Sequence, residues 1–321
     1  MERGARIVIT GVAGFIGSNL AERMLGEGYE VVGIDNLAYG LREQIPADVK
    51  FFELDIRDHR LCELLQPGDI LFHLAAKNCI ADCQSDPVET ASINVTGTVN
   101  VFEAARRAGA AKIIYAESSA LYEGAAVMPT PESEVHPQSF YAVSKLAGMV
   151  FAEAYRRYHG LRTTALRYFC VYGPRQDCRR TIAPVMSAFI IRLMRGEQPV
   201  IYGSGDKRRD FIHVDDVNDF HLRCISDIRT DDRVFNLGSG MSYSVQEIYQ
   251  QIAKLLGSSI APAYQPDLPG EAQETLADIS AARGLGWEPE VTLERGLASF
   301  IEYYRACGVP ELAQRSTGVR A

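Results

Sequence analysis

The sequence predicts an α/β fold: a doubly wound parallel sheet followed by a smaller mixed α/β C-terminal lobe. Three observations carry that prediction. Arg6–Thr10 reads as a buried strand, residues from Gly14 to Gly26 place apolar side chains at helical spacing, and Glu30–Ile34 returns as a second strand, which makes a βαβ unit. Apolar runs recur at Val49–Leu54, Ile70–Leu74, Ile113–Ala116 and Thr163–Phe169, with helical stretches near 87–108 and 139–159 between the later ones. Strand and helix alternating in this way imply a parallel sheet with both faces covered. After Tyr172-Gly173-Pro174 the rhythm gives way to shorter elements and turns such as Pro269-Gly270. The expected organisation is a nucleotide-binding domain over 1–172, a second lobe over 173–311 and a polar tail over 312–321.

Bulk composition narrows the class. A chain of 321 residues, 47% hydrophobic, can bury a large core, and its length suits two lobes. With 33 basic and 41 acidic residues the net charge is −8 and the pI is near 5.4. That balance argues against nucleic acid or an anionic membrane as a partner and leaves room for a local anion site. The seven cysteines are an odd, scattered set that fits reduced thiols in a cytoplasmic protein. No export-type segment or run of 18 apolar residues is found, so secretion and membrane spanning are disfavoured.

Gly11, Gly14 and Gly17, at spacing three, follow the first strand and open the first helix, with Phe15 and Ile16 between the last two. Glycines there let the backbone approach a pyrophosphate, and the helix N-terminus adds partial positive charge. Asp35 ends the second strand, where a carboxylate accepts from both hydroxyls of an adenosine ribose and repels a 2′-phosphate. Asn36 offers no cation for such a phosphate, so the cofactor reads as NAD. Asp55 and Ile56 follow the third strand, where an adenine would lie; Asp55 reads equally well as a turn cap.

Tyr141 and Lys145 stand four apart in a helical stretch and share one face. An ammonium beside a phenol, whose free pKa is about 10, favours the phenolate and makes tyrosine a usable base. Ser118 follows the Ile113–Ala116 strand at the carboxyl edge of the sheet, and Ser119 is its fallback.

Motifs in order complete the pattern: Gly11-Val-Ala-Gly14-Phe-Ile-Gly17, His73-Leu-Ala-Ala76, Asn94-Val-Thr-Gly-Thr98, Ser118-Ser119-Ala-Leu-Tyr122, Tyr141-Ala-Val-Ser-Lys145, Arg167-Tyr-Phe-Cys-Val-Tyr-Gly-Pro-Arg175 and Arg209-Asp-Phe-Ile-His-Val-Asp-Asp216. Over about residues 5–305 the chain resembles the extended short-chain dehydrogenases/reductases, and among them the nucleotide-sugar epimerases and dehydratases. The resemblance implies a Rossmann-type NAD-binding domain in which Leu74, Ala75 and Ala76 join the glycine loop against the cofactor. It implies Tyr141 as base, Lys145 as its charge partner and ribose ligand, and Ser118 as the group steadying the sugar hydroxyl. Dehydratases of the family resemble one another in a Thr-Asp-Glu signature after that position, whereas this chain has Ser118-Ser119-Ala120. The implied reaction is C4 epimerisation of a nucleotide-diphosphate sugar, UDP-sugar favoured, through a transient 4-keto sugar. The alternatives are a nucleotide-sugar dehydrogenase or reductase, an atypical dehydratase, and more remotely a non-catalytic NAD-binding interaction protein.

The same resemblance points to Arg209 for the diphosphate and Tyr202 for the nucleoside, with Ser119 and Cys170 beside the substrate. Three positions depart from the pattern. Cys170 stands where the family carries asparagine, and Leu268 and Gln273 stand where arginines are common, so Lys207, Arg208, Arg179 and Arg180 are the compensating cations to consider. Thr275 is small enough to admit an N-acetyl sugar. Arg175 is a weaker phosphate candidate. Lys77 reads as a cofactor contact or a solvated loop lysine, and His73 as a packed strand end. Cys79 and Cys83 have no second pair nearby for zinc. The outer faces of the two long helical stretches are expected to pair in a homodimer.

Overall fold

A computed structural model describes residues 5–179, 182–267 and 272–312, so Arg180, Leu268, Pro269-Gly270 and all of the expected tail but Leu312 lie outside the described residues. The first half runs β1 (Arg6–Thr10), α1 (Phe15–Gly26), β2 (Glu30–Asp35), β3 (Lys50–Glu53), β4 (Ile70–His73), α2 (Ile80–Ser85) and α3 (Pro87–Ala91). A π-helical turn, Ser92–Gly97, leads into α4 (Thr98–Ala108), β5 (Lys112–Ser118), α5 (Phe140–His159) and β6 (Thr163–Tyr168). The second half continues with β7 (Cys170–Tyr172), α6 (Val185–Met194), β8 (Val200–Tyr202), β9 (Arg208–His213), α7 (Val214–Ser226) and β10 (Arg233–Leu237). It ends with β11 (Ser242–Ser244), α8 (Val245–Leu256), β12 (Ala263–Gln265), α9 (Ser280–Arg283) and α10 (Leu293–Cys307).

Seven parallel strands form the main sheet in the order β10-β6-β5-β4-β1-β2-β3. The chain winds outward from β1 through β2 to β3, then restarts at β4 on β1's other side. The reversal opens a crevice at the carboxyl ends of β1 and β4, which is where such sheets take ligands. One face packs α1 and α7 around Leu20, Met24, Val217 and Phe220, and the other packs α4 and α5 around Val101, Phe102 and Ala152. Helices α6, α8 and α10 share a separate core of Phe189, Ile190, Ile248, Ile252, Phe300 and Ile301. Among the described residues, no helix is long and apolar enough to cross a membrane.

The expected boundary at 172 does not divide the sheet. Strand β10 pairs with β6 and completes the sheet's edge, and α7 packs beside α1, so residues 214–237 serve the first domain although they follow the first part of the second. The halves are also stitched together. Asn19 Nδ2 donates to the Pro174 carbonyl at 3.0 Å, and Arg175 pairs with Glu22 at 3.0 Å.

The turn from β1 into α1 needs its glycines for different reasons. Gly11 has φ +77°, and a Cβ on it would lie 2.7 Å from the Ala75 nitrogen. A Cβ on Gly17 would meet the Gly11 carbonyl oxygen at 2.1 Å, whereas one on Gly14 would sit 3.2 Å from the same atom. Gly17→Ala must therefore push helix and turn apart, at a cost of about 1–3 kcal/mol. At about 2–4 °C per kcal/mol for a domain of this size, its melting temperature is expected to fall by several degrees, with a smaller fall for Gly14→Ala, whose Cβ is too close by only a few tenths of an ångström. Calorimetry of the two variants checks the difference.

Candidate active site

The carboxyl edge of the sheet and the second half enclose a cleft of about 1380 Å³, and every residue expected at the site lines it. At one end lie Gly11, Gly14, Phe15, Ile16 and Gly17, with Leu74, Ala75 and Ala76 from the loop after β4. Helix α1 begins at Gly14 with no side-chain cap, so its first-turn N–H groups are presented to the cleft. A dinucleotide pyrophosphate fits there, against a turn whose close backbone packing side chains at Gly11 or Gly17 would force apart. Asp35, 9% exposed, accepts the Ala13 N–H at 3.0 Å and the Leu37 N–H at 2.8 Å. Burial pushes its pKa up, and these backbone donors hold it back.

Asp55 is more committed than its sequence context suggests. Arg57 grips it with Nε at 2.9 Å and Nη2 at 2.8 Å, and the Asn36 amide donates to it at 2.8 Å. The guanidinium hydrogen bonds hold its pKa down at about 2. Asp55 thus anchors the loop, and together with Asn36 and Ile56 it still forms the rim of the cleft.

In the middle of the cleft stand Ser118, Tyr141 and Lys145. Ser139 caps α5, its Oγ accepting the Ala142 N–H at 3.1 Å, and Gly160 closes it in the left-handed conformation at φ 63°. This uninterrupted helix puts Tyr141 and Lys145 on one face, with the Lys145 ammonium 5.9 Å from the tyrosine ring centre. Lys145 Nζ donates to the Ala116 carbonyl on β5 at 3.0 Å. Burial of the ammonium end pushes its pKa down to about 8, with the Glu117 carboxylate acting against the shift. Ser118 Oγ accepts the Ala120 N–H at 3.1 Å, which turns the hydroxyl toward the strand end.

Sequence reasoning missed three supporting side chains. Asn94, in the π-helical turn, bonds both the N–H and the C=O of Lys77 at 2.8 Å and donates to Ser144 Oγ at 3.0 Å. Its place in the Asn94-Val-Thr-Gly-Thr98 motif was the available signal. Glu123 lines the cleft, but its carboxylate accepts from the Ser139 hydroxyl at 2.8 Å and from the Ser139 and Gln138 N–H groups at 2.7 and 3.0 Å. Glu117 precedes Ser118 and pairs with Arg167 at 2.6 Å. No spacing rule announces either glutamate.

Toward the second half the cleft is lined by Ser119, Cys170, Tyr202, Lys207, Arg209 and Thr275. Lys207 is buried and pairs with Asp267. Arg208, Arg179 and Arg175 are turned elsewhere, and Arg180 lies outside the described residues. Arg208 bonds the Ser242 carbonyl at 2.6 Å and pairs with Glu247, Arg179 bonds Asp177 and the Tyr39 carbonyl, and Arg175 lies against α1. Gln273 is exposed on the outside of the segment that leads to Thr275.

His73 is buried between Thr10 Oγ1 at 2.8 Å and Thr98 Oγ1 at 3.0 Å, and burial followed by the Lys145 charge pushes its pKa down to about 3. It is a packed strand end. Lys77 is not a solvated loop residue: it is 6% exposed, tied through its backbone to Asn94. Cys79 caps α2 and Cys83 is buried within it.

Known proteins resemble this chain in sequence and fold. Residues 7–238 match the NAD dependent epimerase/dehydratase family. A UDP-glucose 4-epimerase of Mycolicibacterium smegmatis is 36% identical over 310 residues, covering 94% of this chain and 98% of the relative. The crystal structure of a UDP-glucose 4-epimerase from Thermotoga maritima with UDP-glucose superimposes with a TM-score of 0.90 at 35% identity, over 94% of this chain and 99% of that one. A Thermus thermophilus UDP-glucose 4-epimerase in complex with NAD gives a TM-score of 0.86 at 31% identity, over 94% and 99%. With a matched region that spans the whole parallel sheet and relatives that align almost end to end, the chain belongs to the NAD dependent epimerase/dehydratase family.

Proposed function

We propose that this chain is an NAD-dependent C4-epimerase of nucleotide sugars, and that its substrate is a UDP-sugar. The observation that carries the reading is the convergence of Ser118, Tyr141 and Lys145 on the dinucleotide groove while both neighbouring carboxylates are tied down. Exchanging a proton with a carbinol needs one poised phenol. Eliminating water needs a further acid and base, and Glu117 and Glu123 are held by Arg167 and Ser139. The related epimerases support the sugar-nucleotide class.

The glycine loop, Asp35 and the rim formed by Asn36, Asp55 and Ile56 would hold the dinucleotide, with Leu74, Ala75 and Ala76 against its middle. When bound, NAD supplies the hydride acceptor and donor for C4. Tyr141 takes the O4 proton as the carbinol is oxidised and returns it after the 4-keto sugar has turned over. The Lys145 ammonium favours the phenolate and holds the ribose hydroxyls, and Ser118 steadies O4 through the change. Ser119 and Cys170 flank the sugar, Arg209 and Lys207 meet the diphosphate, and Tyr202 meets the nucleoside. Thr275, with its short side chain, leaves the pocket room for the rotation.

The active form is a homodimer. Helix α5 exposes Phe140, Val143, Val150, Phe151 and Tyr158, and Val150 and Tyr158 are 58% and 75% exposed. These positions recur at three, seven and eight residues, an apolar stripe of the kind a second copy of the same helix covers.

Tyr141→Phe is expected to lower kcat for epimerisation by about 10²- to 10⁴-fold while dinucleotide and substrate still bind. Undiminished turnover would remove Tyr141 from the chemistry. UDP-glucose, UDP-N-acetylglucosamine and UDP-glucuronate, incubated separately and followed by NMR of the product sugar, test the substrate class; inversion at C4 is expected in at least one, and inversion in none overturns it. Val150→Asp is expected to shift the protein from dimer to monomer in light scattering.

A further inference from the structure

The Glu117–Arg167 pair is more buried than a surface ion pair has reason to be. Glu117 is 2% exposed and Arg167 1%, and burying charge is costly unless it is matched in full. Here the matching is thorough. Across the parallel register of β5 and β6, Arg167 Nε reaches Glu117 Oε2 at 2.6 Å, and the Tyr115 hydroxyl donates to Oε1 at 2.9 Å. Arg167 Nη1 continues to the Tyr122 hydroxyl at 2.8 Å and the Glu132 carbonyl at 2.6 Å. Its Nη2 contacts Met149 Sδ at 3.2 Å. Met149 is one helical turn beyond Lys145 on α5, so the pair lies beneath the face that carries Tyr141 and Lys145. Glu117 also directly follows Ala116, whose carbonyl receives the Lys145 ammonium.

We infer that Glu117, clamped by Arg167, is a positioning residue that keeps the Lys145 ammonium charged and seated on the Ala116 carbonyl. The inference rests on the proposed role of Lys145 in the epimerase reaction. A buried ammonium loses its proton unless an anion faces it. The groups around Lys145 are Tyr141 on its own helix, Glu117 on β5, His73 on β4 and Cys83 on α2. His73 is neutral, its pKa pushed down to about 3, and burial pushes the Cys83 thiol up, so it too is neutral. Beside the Tyr141 phenolate that Lys145 itself serves, and which is lost each time Tyr141 takes a proton, Glu117 is the standing anion of this set. Arg167, opposite Glu117 on β6, fixes the carboxylate, and the charge that opposes loss of the Lys145 proton is that of Glu117.

The test titrates Lys145 in the NAD-loaded protein through its ¹³Cε NMR signal, assigned with Lys145→Met, in wild type, Glu117→Gln and Glu117→Asp. Glutamine keeps the shape and an acceptor oxygen but removes the charge. Its Lys145 midpoint is expected to fall by about one pH unit, the alkaline limb of kcat/KM moving with it, and aspartate is expected to restore most of the shift. A Lys145 midpoint unmoved in Glu117→Gln, with only the melting temperature lowered, would make the pair a mere staple between strands and overturn the inference. Should Glu117→Gln fail to fold because Arg167 is left unpaired, Glu117→Gln with Arg167→Met removes both charges and is expected to move Lys145 in the same direction; no movement there overturns it equally. The two readings fail separately. Full turnover in Tyr141→Phe would sink the epimerase chemistry, whereas an unmoved Lys145 beside a crippled Tyr141→Phe would sink only the part assigned to Glu117.

Discussion

One ammonium group, Lys145 Nζ resting on the Ala116 carbonyl at 3.0 Å, ties the helix that carries Tyr141 to the strand that ends in Ser118. A long helix packed on a sheet can slide or roll unless polar contacts fix it, because apolar packing is not directional. Three of the polar contacts of α5 flank Tyr141. Glu123, from the segment after β5, holds both the N–H and the hydroxyl of the capping Ser139. Asn94 reaches Ser144 from the π-helical turn, and Lys145 reaches β5. Tyr141 lies between the first contact and the other two, so its position follows from theirs.

The π-helical turn has a purpose in this scheme. The wider turn through Ser92–Gly97, bonded i to i+5, goes with Asn94 facing inward at 2% exposure. There it completes the backbone of Lys77, one residue beyond Ala76 on the cleft wall. The loop after β4 and the catalytic helix are thereby joined through a single amide side chain. That linkage joins the Ala76 side and the Tyr141 side of the cleft into one continuous wall.

Much of this was legible in the chain because the signals are local. Strand, glycine turn and helix follow one another within residues 6–26, and the Tyr141 and Lys145 pair is visible from helical periodicity alone. What stayed hidden was long-range. Arg167 is 50 residues from Glu117 in sequence, and each alone reads as an ordinary strand residue. Strand β10 was hidden for a similar reason: it follows elements of the second half, and nothing in Arg233–Leu237 says which sheet it will join. Asp55 read equally as an adenine contact and as a turn cap because its two partners, Asn36 and Arg57, are polar residues that solvent would satisfy as well. Of the compensating cations, Arg208 and Arg179 were likewise ambiguous until packing turned them toward other acceptors.

The preference for NAD over its 2′-phosphorylated form can be argued from charge placement at the end of β2. Each Asp35 oxygen accepts one backbone N–H and has a further lone pair for a ribose hydroxyl. A phosphate there would meet a buried carboxylate at close range, in surroundings where like charges repel more strongly than in water. Relief would require a cation turned toward the ribose. Asn36 is bound to Asp55, and the Arg57 guanidinium at that edge is already matched by Asp55, Glu89 and the Ser92 hydroxyl. Turning Arg57 toward a phosphate would break the grip that orders the Asp55 loop, so in the proposed binding mode the network around Asp55 also disfavours the extra phosphate.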